Sequence, residues 1–324
     1  MELTLSLVLL ILLVVACLNY LTRIALERVK PQLYADPGAF LQKEGFTGSK
    51  DPAVFLENKD LYDNFYASVY DQLTQNVTRT HAKIALLMHE WQGQGSKPDT
   101  MIVLDAGAGT GVGSIALAKM NVSKTIAIDL SPHMIKRAKE ITIVQATLTD
   151  KQKASIDLRQ ADLMNPSALG GGEVTDAVAL YFTIYYMPDI EAFFRNMFLW
   201  VKPGGHLAVE VVNKHKFDPM LESASPWLGF SLQKYSKDRI TESKVVFDKF
   251  DYTGKFELHD PSAEFRETFR FKDGTVRRQR HRFQMPSIEE IVKIAKYAGW
   301  TYTKYVDLTA IGFEYSFLLQ FRHP

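Results

Sequence analysis

Hydrophobic and polar positions alternate along the middle of this chain in a pattern that predicts strands and helices in turn. Short apolar runs, typical of strands buried on both faces, are each followed by a stretch with helical spacing. This succession predicts a parallel sheet covered by helices on both faces. The predicted strands are 101–104, 125–128, 156–160, 174–182 and 207–212, and the helices between them include 112–120, one that opens at Ser131-Pro132, and 190–201.

The alternation stops at Asn213 and resumes near Ser287. The stretch 213–286 is therefore predicted to be a β-rich insertion between the fifth and sixth strands of the sheet. The elements expected after it are a helix at 288–298 and two final strands at 302–306 and 315–321.

Residues 60–91 are predicted to be helical, with one aromatic stripe at three- and four-residue spacing. The stripe either packs on the core or lies as a lid over a cleft, and packing is favoured for most of its residues. Its members are Tyr62, Phe65, Tyr66, Val69, Tyr70 and Leu73.

Residues 3–22 carry no charge and are dominated by Leu, Val and Ile. A helix of that length spans roughly 30 Å, the thickness of the hydrocarbon core of a bilayer. Arg23, Arg28 and Lys30 follow the run, whereas only Glu2 precedes it. This charge asymmetry predicts a single-pass membrane anchor with the rest of the chain on the cytoplasmic side.

Two alternatives to the anchor are a cleaved signal peptide and a bacterial lipobox at residues 14–17, which would make Cys17 an acylated N-terminus. Both kinds of signal usually begin with a basic n-region, whereas Met1-Glu2 offers only the terminal amine as a positive charge. We therefore predict an uncleaved transmembrane anchor at 1–22. A tether at 23–59 follows, in which prolines and glycines interrupt any regular hydrophobic pattern of a helix or strand.

Composition narrows the classes of partner. The chain has 38 Lys and Arg against 37 Asp and Glu, a net charge of +1, so no nucleic-acid partner is expected. Cys17 is the single cysteine, which excludes an intramolecular disulfide framework and a cysteine zinc cluster. No metal site is predicted, and the oligomeric state stays open.

An acidic residue and three alternate glycines follow the first predicted strand, as Asp105, Gly107, Gly109 and Gly111. Glycine is needed where the backbone takes a positive φ and where a ligand must approach without a Cβ in its way. At the carboxyl end of the first strand, that place is the cofactor crevice. A dinucleotide fingerprint would need a third glycine where Val112 or Ser114 stands, and no Walker lysine is present.

The run 105–111 resembles motif I of class I S-adenosylmethionine (SAM)-dependent methyltransferases, D/E-x-G-x-G-x-G, whose turn wraps the methionine moiety of SAM. Residues 176–182 resemble motif IV, 201–205 resemble the turn before the fifth strand, and Gly299-Trp300 resembles the start of the final hairpin. The resemblance covers roughly 60–212 and 287–322. It is specific for fold and cofactor but not for substrate.

This resemblance, to the small-molecule branch of the superfamily, implies an α/β fold with a Rossmann-like, seven-stranded, mostly parallel sheet and an antiparallel last strand. It implies a methyltransferase domain at 60–324, in which 213–286 forms a cap over the substrate, and SAM as the cofactor.

Two acidic residues stand where the resemblance requires them. Asp129 ends the second strand, where family members bind the ribose hydroxyls, and Asp162 follows the third, where they contact the adenine amino group. For either residue alone, helix capping or a solvated loop is the alternative. The predicted cofactor-binding residues are Asp105, Ala106, Gly107, Gly109, Gly111, Asp129, Leu130, Ala161, Asp162, Leu163 and Tyr181.

Motif IV continues into an aromatic stretch and lacks the Asn/Asp-Pro-Pro-Tyr/Phe run of enzymes that methylate amide or base nitrogens. Such acceptors are therefore disfavoured. The aromatic rim could hold a flat or apolar acceptor or stabilise the sulfonium through ring faces. The candidates for catalysis are Tyr185, Tyr186 and His215, the last as a base or as a polar loop residue.

Residues 272–275, Lys-Asp-Gly-Thr, predict a hairpin with a two-residue turn. That register pairs Phe271 with Val276, Phe269 with Arg278, Glu267 with Arg280, and Phe265 with Arg282. In this register Arg278 or Arg280 could bind an acidic acceptor. The alternative is that Glu267 and Arg280 form only an ion pair on the surface. Arg277, Gln279 and His281 would lie on a solvated face. The candidate substrate residues are Tyr66, Tyr185, Tyr186, Arg278 and Arg280.

Methyl transfer from a sulfonium is an in-line displacement, so a site that aligns nucleophile and methyl supplies most of the acceleration. A general base is needed only where the acceptor must lose a proton. The predicted function is SAM-dependent methyl transfer to a small or lipophilic acceptor, on oxygen, nitrogen or carbon. The alternatives are a protein methyltransferase whose cap docks a peptide, and a non-catalytic SAM-binding scaffold.

Overall fold

The computed structural model describes residues 56–57, 60–74, 77–219 and 238–324. The predicted anchor at 1–22, and all of the predicted tether except residues 56–57, lie outside this part of the chain. Within the described residues, no helix is both long and apolar enough to cross a bilayer.

The described strands are β1 (Leu56–Glu57), β2 (Ile102–Ala106), β3 (Lys124–Asp129), β4 (Ile156–Gln160), β5 (Asp176–Ala179), β6 (His206–Val212), β7 (Glu242–Val246), β8 (Phe250–His259), β9 (Ser262–Phe271), β10 (Val276–Gln284), β11 (Thr301–Asp307) and β12 (Ser316–Arg322). The described α-helices are α1 (Asn64–Thr74), α2 (Val77–Gly93), α3 (Val112–Lys119), α4 (Pro132–Arg137), α5 (Ile143–Gln145), α6 (Asp150–Ala154), α7 (Ile190–Trp200) and α8 (Ile288–Tyr297). A π-helix (Ala138–Thr142) joins α4 to α5, and a 3₁₀ helix (Thr183–Tyr186) follows β5.

Seven strands form the main sheet, in the order β11-β12-β6-β5-β2-β3-β4. The strands β2 to β6 run parallel, and β12 lies antiparallel between β6 and β11. The predicted Rossmann-like sheet with an antiparallel last strand is confirmed. Every position of β6 is buried, because helices cover both faces of a parallel sheet. The carboxyl ends of β2 to β5 meet at one edge, where folds of this kind bind their ligands.

The predicted insertion is a second sheet, in the order β1-β10-β9-β8-β7, and we call it the cap sheet. Its strands are antiparallel except β1, which pairs in parallel with β10. β1 falls within the predicted tether, so that part of the tether belongs to the cap sheet. The cap sheet packs on α1, where the ring centroids of Phe65 and Phe269 lie 5.1 Å apart. The aromatic stripe thus packs in a core that includes the cap.

The hairpin between β9 and β10 forms at the predicted place but in a different register. Its loop has three residues, because Gly274 takes a φ of +85° and its N–H donates to the carbonyl of Phe271 at 3.0 Å. The N–H of Phe271 donates to the carbonyl of Thr275 at 2.9 Å. The observed pairs include Arg277 with Phe269, Gln279 with Glu267 and His281 with Phe265, and the predicted pairs with Arg278, Arg280 and Arg282 are wrong.

A shift of one residue moves every side chain of a strand to the other face of the sheet. Arg277, Gln279 and His281, predicted to be solvated, are therefore buried beneath the cap sheet. Arg278 and Arg280 lie on the opposite face, where Arg280 pairs with Glu57. Neither arginine therefore lies among the buried residues of the cap sheet, and their role as substrate residues stays a prediction.

Candidate functional site

The glycine turn lies at the carboxyl end of β2 and leads into α3. Gly107, Gly109 and Gly111 take φ values of +73°, +54° and +84°, which side chains with a Cβ rarely adopt. A Cβ on Gly107 would also lie 2.7 Å from the side chain of Thr183. The N–H groups of Gly107 and Ala108 both donate to the carbonyl of Ile128 at 2.9 Å, which ties the turn to β3.

Asp105 lies behind this turn and is buried. Its Oδ2 accepts a hydrogen bond of 2.7 Å from the hydroxyl of Ser114, in the first turns of α3. Burial raises the pKa of Asp105 to about 6, although the bond from Ser114 opposes that change. The structure thus shows Asp105 holding α3 against β2, and its direct contact with the cofactor stays a prediction.

Asp129 ends β3 beside the turn. Its Oδ2 accepts from the N–H of Gly109 and its Oδ1 from the N–H of Ser131, both at 2.8 Å. Each carboxylate oxygen keeps a second lone pair for a ligand hydroxyl. Burial raises the pKa of Asp129, and the backbone donors oppose that change.

The neighbours of Asp129 complete a surface suited to a nucleoside. Leu130 is 53% exposed and offers an apolar surface beside the half-buried carboxylate of Asp129. The N–H of Ala161 donates to the carbonyl of Asp129 at 3.1 Å, which places Asp162 alongside. Asp162 is exposed, and its Oδ1 accepts from the N–H of Met164 at 2.9 Å. Leu163 is buried, so its side chain belongs to the core.

The residues of this edge fit SAM. The glycine turn allows close backbone approach, the carboxylate of Asp129 can accept from a ribose diol, and Leu130 offers an apolar surface for a base. The carboxylate of Asp162 can accept from an exocyclic amine. The resemblance assigns these roles, and the geometry brings all of these residues to one edge of the sheet.

Helix α1 closes over the glycine turn. The hydroxyl of Thr110 donates to the buried Oδ1 of Asp71 at 2.6 Å, and the Nδ1 of His133 lies 2.7 Å from the Oδ1 of Asn64. The hydroxyl of Ser131 donates to the carbonyl of Tyr62 at 2.6 Å. The stripe of α1 therefore combines both interpretations, because it packs in the core and also covers the cofactor edge.

Tyr181 follows β5 in a strained conformation, with a φ of +56°. Its N–H donates to the Oε2 of Glu210 at 2.7 Å. The Nζ of Lys83 lies 2.7 Å from the Oε1 of Glu210 and 4.2 Å from the centre of the Tyr181 ring. A buried ion pair thus holds the backbone of Tyr181 at the sheet edge.

A continuous set of hydrogen bonds joins motif IV to the cap sheet. The hydroxyl of Tyr62 donates to the hydroxyl of Tyr186 at 2.7 Å, and the latter lies 2.5 Å from the Nδ1 of His281. The Nε2 of His281 lies 2.5 Å from the Oε2 of Glu267. We call Tyr62, Tyr186, His281 and Glu267 the tyrosine–histidine network. The sequence analysis did not assign these roles, because the predicted register paired Glu267 with Arg280 and placed His281 on the solvated face.

Other side chains complete the coordination of Glu267. Its Oε1 accepts from the hydroxyl of Tyr252 at 2.6 Å, and its Oε2 accepts from the Nε2 of Gln279 at 2.5 Å. Burial raises the pKa of Glu267, but the charge of His281 and these bonds outweigh burial and leave that pKa below its usual range. Glu267 is therefore a buried carboxylate surrounded by hydrogen-bonding side chains.

The predicted acceptor residues separate into two groups. Tyr186 belongs to the network, and the hydroxyl of Tyr66 lies 3.4 Å from the Nε2 of His281. Tyr185 is buried, and its hydroxyl accepts from the N–H of Val212 at 2.9 Å, so it stabilises the end of β6. The side chain of His215 is 61% exposed and lies 3.8 Å from Asp260, away from these tyrosines. The structure does not bring Tyr185 or His215 to the network.

Comparisons with known proteins agree with this geometry. A family model described as a methyltransferase domain matches residues 78–305, more than half of the chain. Ribosomal protein L11 methyltransferase of Bordetella parapertussis is 28% identical over 130 residues, which are 40% of this chain and 37% of that protein. 2-methyl-6-phytyl-1,4-hydroquinone methyltransferase of Synechocystis is 34% identical over 122 residues, 38% of this chain and 35% of that protein.

The matched segments therefore span little more than a third of these two relatives. A solved S-adenosylmethionine-dependent methyltransferase from Clostridium acetobutylicum superposes with a TM-score of 0.58 at 17% identity. The match covers 80% of this chain and 98% of that one, and it shows a shared fold.

Proposed function

This chain belongs to the methyltransferase-domain family and is a SAM-dependent methyltransferase, and we propose that its acceptor is a small or lipophilic molecule. The acceptor would bind between the carboxyl edge of the main sheet and the cap sheet. SAM supplies an electrophilic methyl group there, and the protein aligns the acceptor with it.

One observation carries this proposal: the contact between Tyr186 of motif IV and His281 of the cap sheet. It brings the cap sheet directly against the segment that follows β5, at the edge where folds of this kind bind their ligands. The surrounding rings are close, with centroids of Tyr186 and Phe283 5.0 Å apart and of Tyr62 and Tyr186 6.0 Å apart. A surface of packed aromatic rings suits a small or apolar molecule.

The rival function is protein methylation. One relative acts, by its name, on a ribosomal protein and another on a hydroquinone, so the relatives support both kinds of acceptor. A peptide needs an open groove, whereas α1 and the cap sheet close against each other through Phe65, Phe250 and Phe269. This closure favours the small acceptor.

The test is methyl transfer from methyl-labelled SAM by the full chain in detergent micelles. The probes are catechol, a hydroquinone with an isoprenoid tail, phosphoethanolamine and a ribosomal protein fraction. We expect label in at least one of the three small molecules. Label in the protein fraction alone would establish the rival function, and SAM binding with no labelled product in any arm would favour a scaffold.

We also propose that residues 3–22 anchor the enzyme in a membrane with the methyltransferase domain on the cytoplasmic side. The support is the uncharged run and the basic residues that follow it. In eukaryotic cells the full chain should resist carbonate extraction, and Leu10→Lys with Leu13→Lys should release it. Glycosylation at Asn76 or Asn121, each in a sequon, would contradict the orientation.

A further inference from the structure

The tyrosine–histidine network runs from the cofactor edge to a closed end beneath the cap sheet. Tyr62 and Tyr186 are half-buried, whereas His281 and Glu267 are 4% and 1% exposed. A molecule at the sheet edge can therefore reach the tyrosine end, and water is excluded from the carboxylate end. The network has one accessible terminus.

The hydrogen bonds of the network all point the same way. The carboxylate of Glu267 accepts from Tyr252 and Gln279 and also faces the Nε2 of His281, so in the neutral imidazole the ring proton lies on Nε2 and is donated to Glu267. The Nδ1 then accepts from the hydroxyl of Tyr186, which in turn accepts from the hydroxyl of Tyr62. The oxygen of Tyr62 retains a lone pair for another donor. The network is thus arranged to accept a proton at Tyr62.

The accessible terminus lies beside the cofactor residues. The carbonyl of Tyr62 accepts from the hydroxyl of Ser131, two residues after Asp129. Burial, followed by the neighbouring phenol of Tyr186, raises the pKa of Tyr62 well above its usual range. The phenols therefore remain neutral and transmit a proton, whereas His281 can hold one.

The charges around the network indicate which kind of acceptor fits. Glu267 is engaged by His281, Tyr252 and Gln279, and Asp129 by two backbone N–H groups. Asp63 is paired with Arg277 at 2.6 Å. Glu267 and Asp63 are thus engaged by protein partners, and the remaining lone pairs of Asp129 are assigned to the ribose hydroxyls. The rings of Tyr62, Tyr186 and Phe283 lie beside them and suit a flat, uncharged acceptor.

We propose that the network is the proton acceptor for a phenolic hydroxyl that this enzyme methylates. This inference rests on the proposed function and names the substrate class of that site. Tyr62 is the residue that contacts the acceptor. Tyr186, His281 and Glu267 are positioning and relay residues behind it.

The step balances in atoms and charge. The acceptor oxygen forms the new O–C bond with one of its lone pairs while the C–S bond of the sulfonium breaks and leaves its electron pair on sulfur. The hydroxyl proton passes to Tyr62 as Tyr62 gives its own proton to Tyr186. Tyr186 gives its proton to the Nδ1 of His281, and the imidazolium is held by the carboxylate of Glu267. After product release the proton returns along the same bonds to water.

The first arm of the test is kinetic and uses catechol as the acceptor and the full chain. Tyr186→Phe interrupts the relay without removing the ring, and it should lower kcat by about 10²- to 10⁴-fold while the calorimetric affinity for SAM stays within twofold. The solvent deuterium isotope effect on kcat should fall in that variant. Tyr297→Phe, which alters an exposed surface tyrosine, is the control.

The second arm is a pH profile. The ionisable groups packed about His281 and its partners are Tyr62, Tyr66, Tyr70, Tyr186, Tyr252, Glu267, Asp63 and Arg277. Glu267→Gln removes the negative charge beside the Nε2 of His281 and keeps the shape of the side chain, so the pH profile of kcat should move to lower pH. A structural role for Glu267 would lower stability and leave the position of that profile unchanged.

The third arm does not depend on turnover. The ring nitrogens of His281 are followed by NMR as catechol is added to the enzyme with S-adenosylhomocysteine. Catechol should shift these signals in the wild type and not in Tyr186→Phe. If catechol is methylated but neither the signals nor kcat respond to Tyr186→Phe, the relay is wrong and the proposed function stands. If catechol neither binds nor reacts while another small molecule is methylated, the phenolic assignment is wrong.

Discussion

The Nδ1 of His281 lies 2.5 Å from the hydroxyl of Tyr186, although 95 residues separate them along the chain. Tyr186 ends the short helix after β5, and His281 lies on the inner face of the cap sheet. This bond joins the two parts of the fold at the site where the acceptor is proposed to bind. Four further predictions follow from the packing around this site.

Asp129→Ala should weaken SAM binding by roughly 10- to 100-fold, because it removes charge-assisted hydrogen bonds to the cofactor and also the acceptor for the N–H of Gly109. Isothermal titration calorimetry measures the change. Asp157→Ala is the matched control, since Asp157 lies on the neighbouring β4 and pairs with Lys124 and Arg159. Unchanged affinity in Asp129→Ala would remove the ribose assignment.

Asp105 should make stability depend on pH. Its pKa is raised from 3.8 to about 6, so the folded state binds a proton more tightly than the unfolded state. The free energy of unfolding should therefore fall as the pH rises from about 4 to about 6, by on the order of 3 kcal/mol at most. Asp105→Asn keeps an acceptor for Ser114 and should abolish this component.

Urea unfolding at pH 4.5, 5.5, 6.5 and 7.5 measures that component as the difference between the wild type and Asp105→Asn. The variant should gain stability relative to the wild type across this interval and remain level above it. A difference that stays constant with pH would show that Asp105 is ionised in both states.

Lys83→Met should destabilise the fold by about 3–5 kcal/mol, because it leaves Glu210 buried without its cation. Adding Glu210→Gln removes the unpaired charge but keeps an acceptor for the N–H of Tyr181, and should restore part of the loss. A double-mutant cycle in urea measures the coupling. Strictly additive effects would show that the two side chains do not stabilise each other.

Gly254→Ala should cost roughly 1–3 kcal/mol through overpacking. A Cβ at this position would lie 2.7 Å from the hydroxyl of Tyr252 and 2.8 Å from the ring of Phe265. Gly254 is the cross-strand partner of the network residue Glu267. Gly93→Ala is the control, because no atom lies within 4 Å of its new Cβ. Thermal melting of both variants checks the prediction, and equal melting temperatures would contradict it.

The local features of the cofactor edge could be predicted from the chain itself. The glycines at 107, 109 and 111 all take a positive φ, and Ser131 caps α4 by accepting from the N–H of Met134 at 3.2 Å. Such features depend on residues close in sequence, because the turn conformation and the cap are set by the side chain, or its absence, at one position. Asp129 could be predicted as well, because it comes directly after a short apolar run that predicts a strand.

The cap sheet required the tertiary structure, because its register depends on the conformation of one loop. Lys272, Asp273 and Gly274 are compatible with a two-residue or a three-residue hairpin loop, and the choice reverses which face of β10 is buried. Both faces of β10 carry mostly polar side chains, so the sequence does not show which face is buried. The pairing with β9 decides that Arg277, Gln279, His281 and Phe283 face inward.

By itself, therefore, the sequence determined the parallel sheet, the glycine turn and the acidic residues that follow successive strands, since each rests on short-range backbone preferences. Only the tertiary structure decided that Glu267 and His281 meet Tyr186 and Tyr62. A buried carboxylate and histidine are stable there because they satisfy each other and the adjoining phenols across long sequence separations, and no local pattern contains that pairing.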